Sequence, residues 1–169
     1  MLEVDNLTIA FNQTPVLQGL TFSLRKGESL GIVGESGSGK SITALSIMGL
    51  LPPGAKIASG SAILTLGEHN PINLLNLEEK NHRLVRGKGI SMIFQEPMTS
   101  LNPSMRCGKQ VVEAIALHQK VSVKEAKTKC LNLLAEMKIP DPLKAYKSYP
   151  HQLSGAQKQQ VMIAMALAG

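Results

Sequence analysis

A chain of 169 residues that is 43% hydrophobic is long and apolar enough to form a folded core, which excludes global disorder. Eighteen Lys and Arg against twelve Asp and Glu leave a net charge of +6, yet the basic residues are scattered and only five residues are Phe or Tyr and none is Trp, so a nucleic-acid partner is not expected. No apolar run reaches the ~18 residues of a transmembrane helix, the first five residues do not open a secretory signal, and Cys107 and Cys130 form neither a disulfide framework nor a Cys-x-x-Cys metal site, so they read as core residues in a reducing compartment.

Leu7, Ile9 and Phe11 alternate with polar residues, as do Leu20, Phe22 and Leu24, and Asn12-Gln13-Thr14-Pro15 between them is a turn signal. The pattern predicts two strands. After a second turn at Arg25-Lys26-Gly27-Glu28, the run Ser29-Leu30-Gly31-Ile32-Val33 predicts a short strand buried on both faces. A helix is expected over 40–51, stopped by Pro52-Pro53-Gly54, then a strand over 57–66 and a helix near 78–85. Residues 89–94 predict a second strongly apolar strand. Beyond it the pattern becomes helical, over 105–119, over 122–138 behind a capping box at Ser122 and Glu125, and from Ser154 towards Leu167.

Gly34-Glu35-Ser36-Gly37-Ser38-Gly39-Lys40-Ser41 matches G-x-x-x-x-G-K-[ST] at every position, between a predicted strand and a predicted helix. Glycines allow successive backbone N–H groups to turn inward around an anion, and a helix N-terminus adds unpaired donors and partial positive charge. Lys40 can reach terminal phosphates and the Ser41 hydroxyl can ligate Mg²⁺. The loop predicts a nucleoside triphosphate and a phosphoryl-transfer class.

Gln95 follows the second apolar strand, where ligands bind in open α/β sheets, and its amide can bond a metal-bound or attacking water. Ser154, followed by Gly155, Ala156 and Gln157, predicts a second anion-binding helix N-terminus.

These three motifs in this order resemble the nucleotide-binding subunit of ABC transporters. The loop at 34–41 is similar to the Walker A motif, Gln95 to the Q-loop, and Leu153-Ser154-Gly155-Ala156-Gln157 to the signature. The stretch Ile93-Phe94-Gln95-Glu96-Pro97-Met98-Thr99-Ser100-Leu101-Asn102-Pro103, with Tyr149-Pro150-His151-Gln152, resembles the oligopeptide, dipeptide and nickel importer branch. The resemblance implies an α/β fold: a P-loop NTPase core with an N-terminal antiparallel β-subdomain and a helical subdomain. It divides the chain into a nucleotide-binding part (1–96), a helical subdomain (97–153) and a signature helix (154–169). It also implies ATP and Mg²⁺ as cofactors, with nucleotide contacts at Phe11 (stacking on adenine), Gly34, Glu35, Ser36, Gly37, Ser38, Gly39, Lys40, Ser41, Thr43, Gln95, Ser154, Gly155 and Gln157. Lys40 and Gln95 would be catalytic, and Ser41 and Gln95 would face the metal.

As partners the resemblance implies a second ATP-binding subunit, whose Walker A motif faces this signature, membrane-spanning permease subunits and, indirectly, a solute-binding protein. The location would be peripheral, on the cytoplasmic face of the cell membrane. Ala156 stands where the family usually has Gly. A Walker B segment, apolar residues followed by Asp and Glu, does not occur in the sequence, so a truncated subunit with an incomplete sheet is expected, weak in ATP binding and negligible in turnover. Its apolar 30–33 strand should be left uncovered, making the chain weakly stable and prone to associate. The alternative class is a non-hydrolysing nucleotide-binding module that docks a membrane partner. A chromosome-structure ATPase is disfavoured because no sustained heptads separate Gln95 from Ser154.

Overall fold

The computed structural model describes residues 1–67, 69–94 and 100–169. They pack as two compact units, Met1–Leu84 and Val85–Gly169.

The first unit is built on a four-stranded antiparallel sheet in the order β2-β1-β3-β4. β1 (Leu2–Phe11) and β2 (Thr14–Leu24) form a hairpin closed by Asn12 and Gln13, both left-handed at φ 47° and 73°. A two-residue turn of this hand matches the twist of the strands it joins, so the register Phe11↔Thr14 starts directly at the turn. Pro15, expected to mark a turn, lies inside β2. The strand tolerates it because β2 is the sheet edge, where a missing N–H costs no ladder bond. β3 (Ala55–Leu64) pairs with the other side of β1, and β4 (Ile72–Asn73) with β3. Gly60 sits at φ 103°, where a Cβ would fall 2.6 Å from the Asn6 carbonyl oxygen, so only glycine lets β3 lie this close to β1. Val4, Leu7, Ile9, Ala62 and Leu64 form the buried side of the sheet, and Leu74, in the turn after β4, is fully buried.

Helix α1 (Lys40–Ile47) ends four residues earlier than expected. Gly49 adopts φ 63° and the Leu50 N–H reaches back to the Leu45 carbonyl at 2.8 Å, which closes the helix before the prolines are reached. α2 (Glu79–Val85) follows, with an exposed Arg83–Glu79 pair at 3.2 Å.

The second unit is helical: α3 (Cys107–His118), α4 (Val123–Glu136), α5 (Pro142–Lys147) and α6 (Gly155–Ala166). Its core gathers Leu101, Val111, Ile115, Cys130, Leu134, Val161 and Ala164. Gly108 permits a close approach beside it, because a Cβ there would run into the Tyr146 ring. The Ser122 capping box forms as expected, with the Glu125 carboxylate accepting from the Ser122 N–H at 2.8 Å.

Two expected strands are not strands. Residues 29–33 lie outside the sheet, with Leu30 and Ile32 exposed and Val33 92% exposed. Residues 89–94 make only one isolated bridge, Arg86↔Ile90. A strand buried on both faces needs a hydrogen-bonding neighbour on each edge and cover on each side. Among the described residues neither run has these. Both runs have the composition of core strands, but an apolar run cannot become a strand alone.

Candidate functional site

The loop at 34–41 joins the exposed 29–33 run to α1. Gly37 and Gly39 take φ 83° and 94°, in the left-handed region that lets the chain turn tightly. A Cβ on Gly34 would lie 2.6 Å from the Ser38 hydroxyl, and one on Gly39 would lie 3.0 Å from Leu17 Cδ1, so the loop is packed against its own turn and against β2. The Ser38 N–H donates to the Glu35 carbonyl at 3.2 Å.

Lys40 fixes the charge of the site. Its Nζ donates to the carbonyl oxygens of Gly34 at 2.7 Å and Glu35 at 2.6 Å, and to the Ser38 hydroxyl at 3.2 Å. The ammonium therefore lies across the loop that precedes it in sequence. The N-cap Gly39 supplies no side-chain bond and the first turn of α1 carries no acidic residue, so the helix start keeps its orphan donors and positive end. Ser41, next in the helix, is exposed. Thr43 is buried and its hydroxyl donates to the Gly39 carbonyl at 2.9 Å, bracing the loop from behind. A tight glycine turn, an uncapped positive helix end, a tethered ammonium and an adjacent exposed hydroxyl fit a triphosphate with its divalent cation. Phe11 is 39% exposed at the end of β1, two positions beyond Ile9, the partner of Leu17 against which Gly39 packs. Two strand positions span about 7 Å.

In the second unit, Ser154 caps α6. Its hydroxyl accepts from the Gln157 N–H at 3.2 Å and its own N–H donates to Gln157 Oε1 at 3.0 Å. Ser154, Gly155 and Ala156 are exposed, and a Cβ on Gly155 would meet nothing. Gln95 lies outside the described residues.

Sequence reasoning missed what holds the approach to Ser154. The Cys107 N–H donates to the Ser148 carbonyl at 2.8 Å, the Arg106 guanidinium lies 5.8 Å over the Tyr149 ring, and His151 stacks on Tyr149 at 5.6 Å and 9°. Buried Gln110 bonds the turn just before Arg106, accepting from the Asn102 N–H at 3.0 Å and donating to the Met105 carbonyl at 2.9 Å. The first two contacts join residues far apart in sequence, and no local pattern announces them. Burial pushes the Cys107 thiol up, partly offset by its backbone hydrogen bond and by Lys158, and pushes Cys130 to about 12. Both are packing groups and not nucleophiles. Among the described residues no three His, Cys, Asp or Glu side chains gather as metal ligands, and no helix is long and apolar enough to cross a membrane.

A family model described as "ABC transporter" matches residues 17–169. The chain is 45% identical over 172 residues to the dipeptide transport ATP-binding protein DppD of Bacillus subtilis strain 168, covering 99% of this chain and 50% of that protein. It is 47% identical over 171 residues to the oligopeptide transport ATP-binding protein OppD of Salmonella typhimurium strain LT2, covering 99% and 49%. Against the glutathione import ATP-binding protein GsiA of Salmonella choleraesuis strain SC-B67 it is 44% identical, covering 99% and 28%. The chain thus spans about half the length, or less, of the curated relatives it matches. A dimeric ATP-binding cassette in a post-hydrolysis state, bound to ADP and Pi, superposes with a TM-score of 0.83 at 25% identity over 99% of this chain and 69% of that one. The cbiO1 protein of Clostridium perfringens, part of the cbiONQ ABC transporter complex, gives a TM-score of 0.73 at 27% identity over 99% and 61%.

Proposed function

Because the chain belongs to the ABC transporter family, we propose that it is the nucleotide-binding and helical portion of an importer ATPase subunit, one that binds MgATP and, as the intact dimeric subunit, hydrolyses it to drive solute uptake. Peptides are the favoured cargo, given the dipeptide, oligopeptide and glutathione names of the relatives, and nickel-like small solutes are proposed on the motif resemblance alone. The partners are a second ATP-binding subunit and membrane-spanning permease subunits, and the location is the cytoplasmic face of the membrane.

The observation that carries this reading is the Lys40 ammonium, held 2.7 and 2.6 Å from the Gly34 and Glu35 carbonyls at the mouth of an uncapped helix. The loop amides from Gly34 to Lys40 would hold the phosphate chain, Lys40 would offset its terminal charge, and Ser41 would take the metal. Bound MgATP supplies the transferable phosphoryl group and the charge-neutralising cation. Phe11 supplies an apolar face for the base. Gln95 positions water, and Ser154, Gly155 and Gln157 present a second helix N-terminus to the partner subunit's nucleotide. Within the intact subunit, residues 1–96 would bind nucleotide, 97–153 would couple to the permease and 154–169 would form the signature helix.

The test is the intact subunit assembled with its permease. Lys40→Ala should lower ATP turnover by about a hundredfold or more, the usual scale for removing one preorganised charge-stabilising group, and abolish uptake. Undiminished turnover and uptake in that variant would overturn the proposal.

A further inference from the structure

The charge of this chain is divided unevenly between its units. Val85–Gly169 holds twelve of the eighteen Lys and Arg residues but five of the twelve acidic ones, leaving it at +7 against −1 for Met1–Leu84. The sequence taken whole reads as a scattered basic surface. The structure assigns the excess to the helical unit.

One corner of that unit combines charge with exposed apolar side chains. α3 and α4 are joined by four residues, with the Val121 N–H bonded to the Gln119 carbonyl at 3.0 Å to reverse the chain. Leu117, near the end of α3, is 78% exposed and Val123, the first residue of α4, is 82% exposed. Lys120 and Lys124 lie between and beside them. Both lysines are exposed and their ammonium groups have no partner among the described residues. The neighbouring cations are committed: Lys127 lies 5.5 Å over the Tyr146 ring, and Lys129 donates to Gln119 Oε1. Of the nearby acids, Glu125 is tied to the Ser122 N–H and hydroxyl at 2.8 and 2.7 Å, and Glu113 lies one helical turn before Leu117.

We propose that the α3–α4 corner contacts an anionic lipid surface directly, with Leu117 and Val123 entering the headgroup boundary and Lys120 and Lys124 meeting the phosphates. Two features favour a lipid plane over an acidic protein segment. The basic excess is carried by ten lysines and only two arginines, which are flexible point charges suited to a diffuse anionic surface and lack the planar fork that anchors protein interfaces. Leu117 and Val123 also stand exposed on either side of the turn, so they can enter a fluid boundary without a preformed hole to receive them. This goes beyond the proposed function, in which the membrane is reached through permease subunits. It requires neither nucleotide nor permease, so its failure would leave the Lys40 reading untouched.

The test is flotation of the purified chain with vesicles of equal phosphatidylglycerol and phosphatidylcholine, and with phosphatidylcholine alone. Binding to the anionic vesicles should be at least about tenfold stronger than to the neutral ones at low salt, and should collapse at high salt as the Debye length shrinks from about 10 Å to about 3 Å. Lys120→Glu with Lys124→Glu should weaken anionic binding by about tenfold or more, at about a few-fold to tenfold per basic residue near the surface. Leu117→Ser with Val123→Ser should weaken it at low salt, where the unsubstituted chain binds. The composition and salt arms use the unsubstituted chain, so they stand whether or not the variants fold. Equal binding to neutral vesicles, indifference to salt, unchanged binding by the double charge reversal, or retention on immobilised poly-glutamate without vesicle binding would each overturn the proposal, the last by making an acidic polypeptide the partner.

Discussion

Single residues carry the local strain and charge of this chain. Lys40 was legible from its motif, since the spacing of three glycines before a lysine has few other uses, but its bonds to the Gly34 and Glu35 carbonyls were not, because they depend on how the loop curls. Gly60 was silent in the sequence. Its φ of 103°, with the Asn6 carbonyl oxygen 2.6 Å from where a Cβ would stand, arises only once β1 and β3 pair. Gly60→Ala should therefore cost about 2 kcal/mol or more in a urea melt, from backbone strain and a clash with main-chain atoms that cannot move aside. Cys130 gives a pH prediction. The unfolded thiol loses its proton near 9.0, while the buried one keeps it to about 12. Between those values the unfolded chain binds fewer protons, so stability that is intact below pH 9 falls as pH rises. Alkaline melts of the unsubstituted chain should show this loss, and Cys130→Ala should flatten it.

Elements were legible where a local signal is sufficient. The Ser122 and Ser154 capping boxes were readable because cap and N3 residues lie three positions apart and need no distant partner. Ser154→Ala should destabilise the helical unit by about 1 kcal/mol, while Ser154→Asp should retain most of the cap, both measured by thermal melts followed by helical circular dichroism. The Glu125 carboxyl is held below its ordinary value by the Ser122 N–H first and the Ser122 hydroxyl second. Its support for α4 is thus present above the ordinary carboxylate range and fades as pH falls through the lowered folded value. Strands failed as predictions where they depended on neighbours: residues 29–33 and 89–94 have the composition of buried parallel strands, yet pairing is a property of two segments and no apolar run supplies its own partner.

For the whole molecule, the sequence led to the family through motifs, while the distribution of charge and the two compact units emerged only from the structure. The exposed apolar run containing Val33 at 92% exposure predicts concentration-dependent association. Sedimentation should show the chain shifting to larger species as its concentration rises, and Leu30→Ser with Val33→Lys should suppress that shift. Concentration-independent monomers of the unsubstituted chain would contradict it. Calorimetric titration of the chain with MgATP shows whether the glycine turn ahead of Lys40 cradles phosphate. One nucleotide should bind, with adenosine unable to compete and with affinity reduced about tenfold or more by Lys40→Ala, the loss expected for removing one charge-assisted contact to phosphate. Absence of binding, or equal affinity in the variant, would contradict the account.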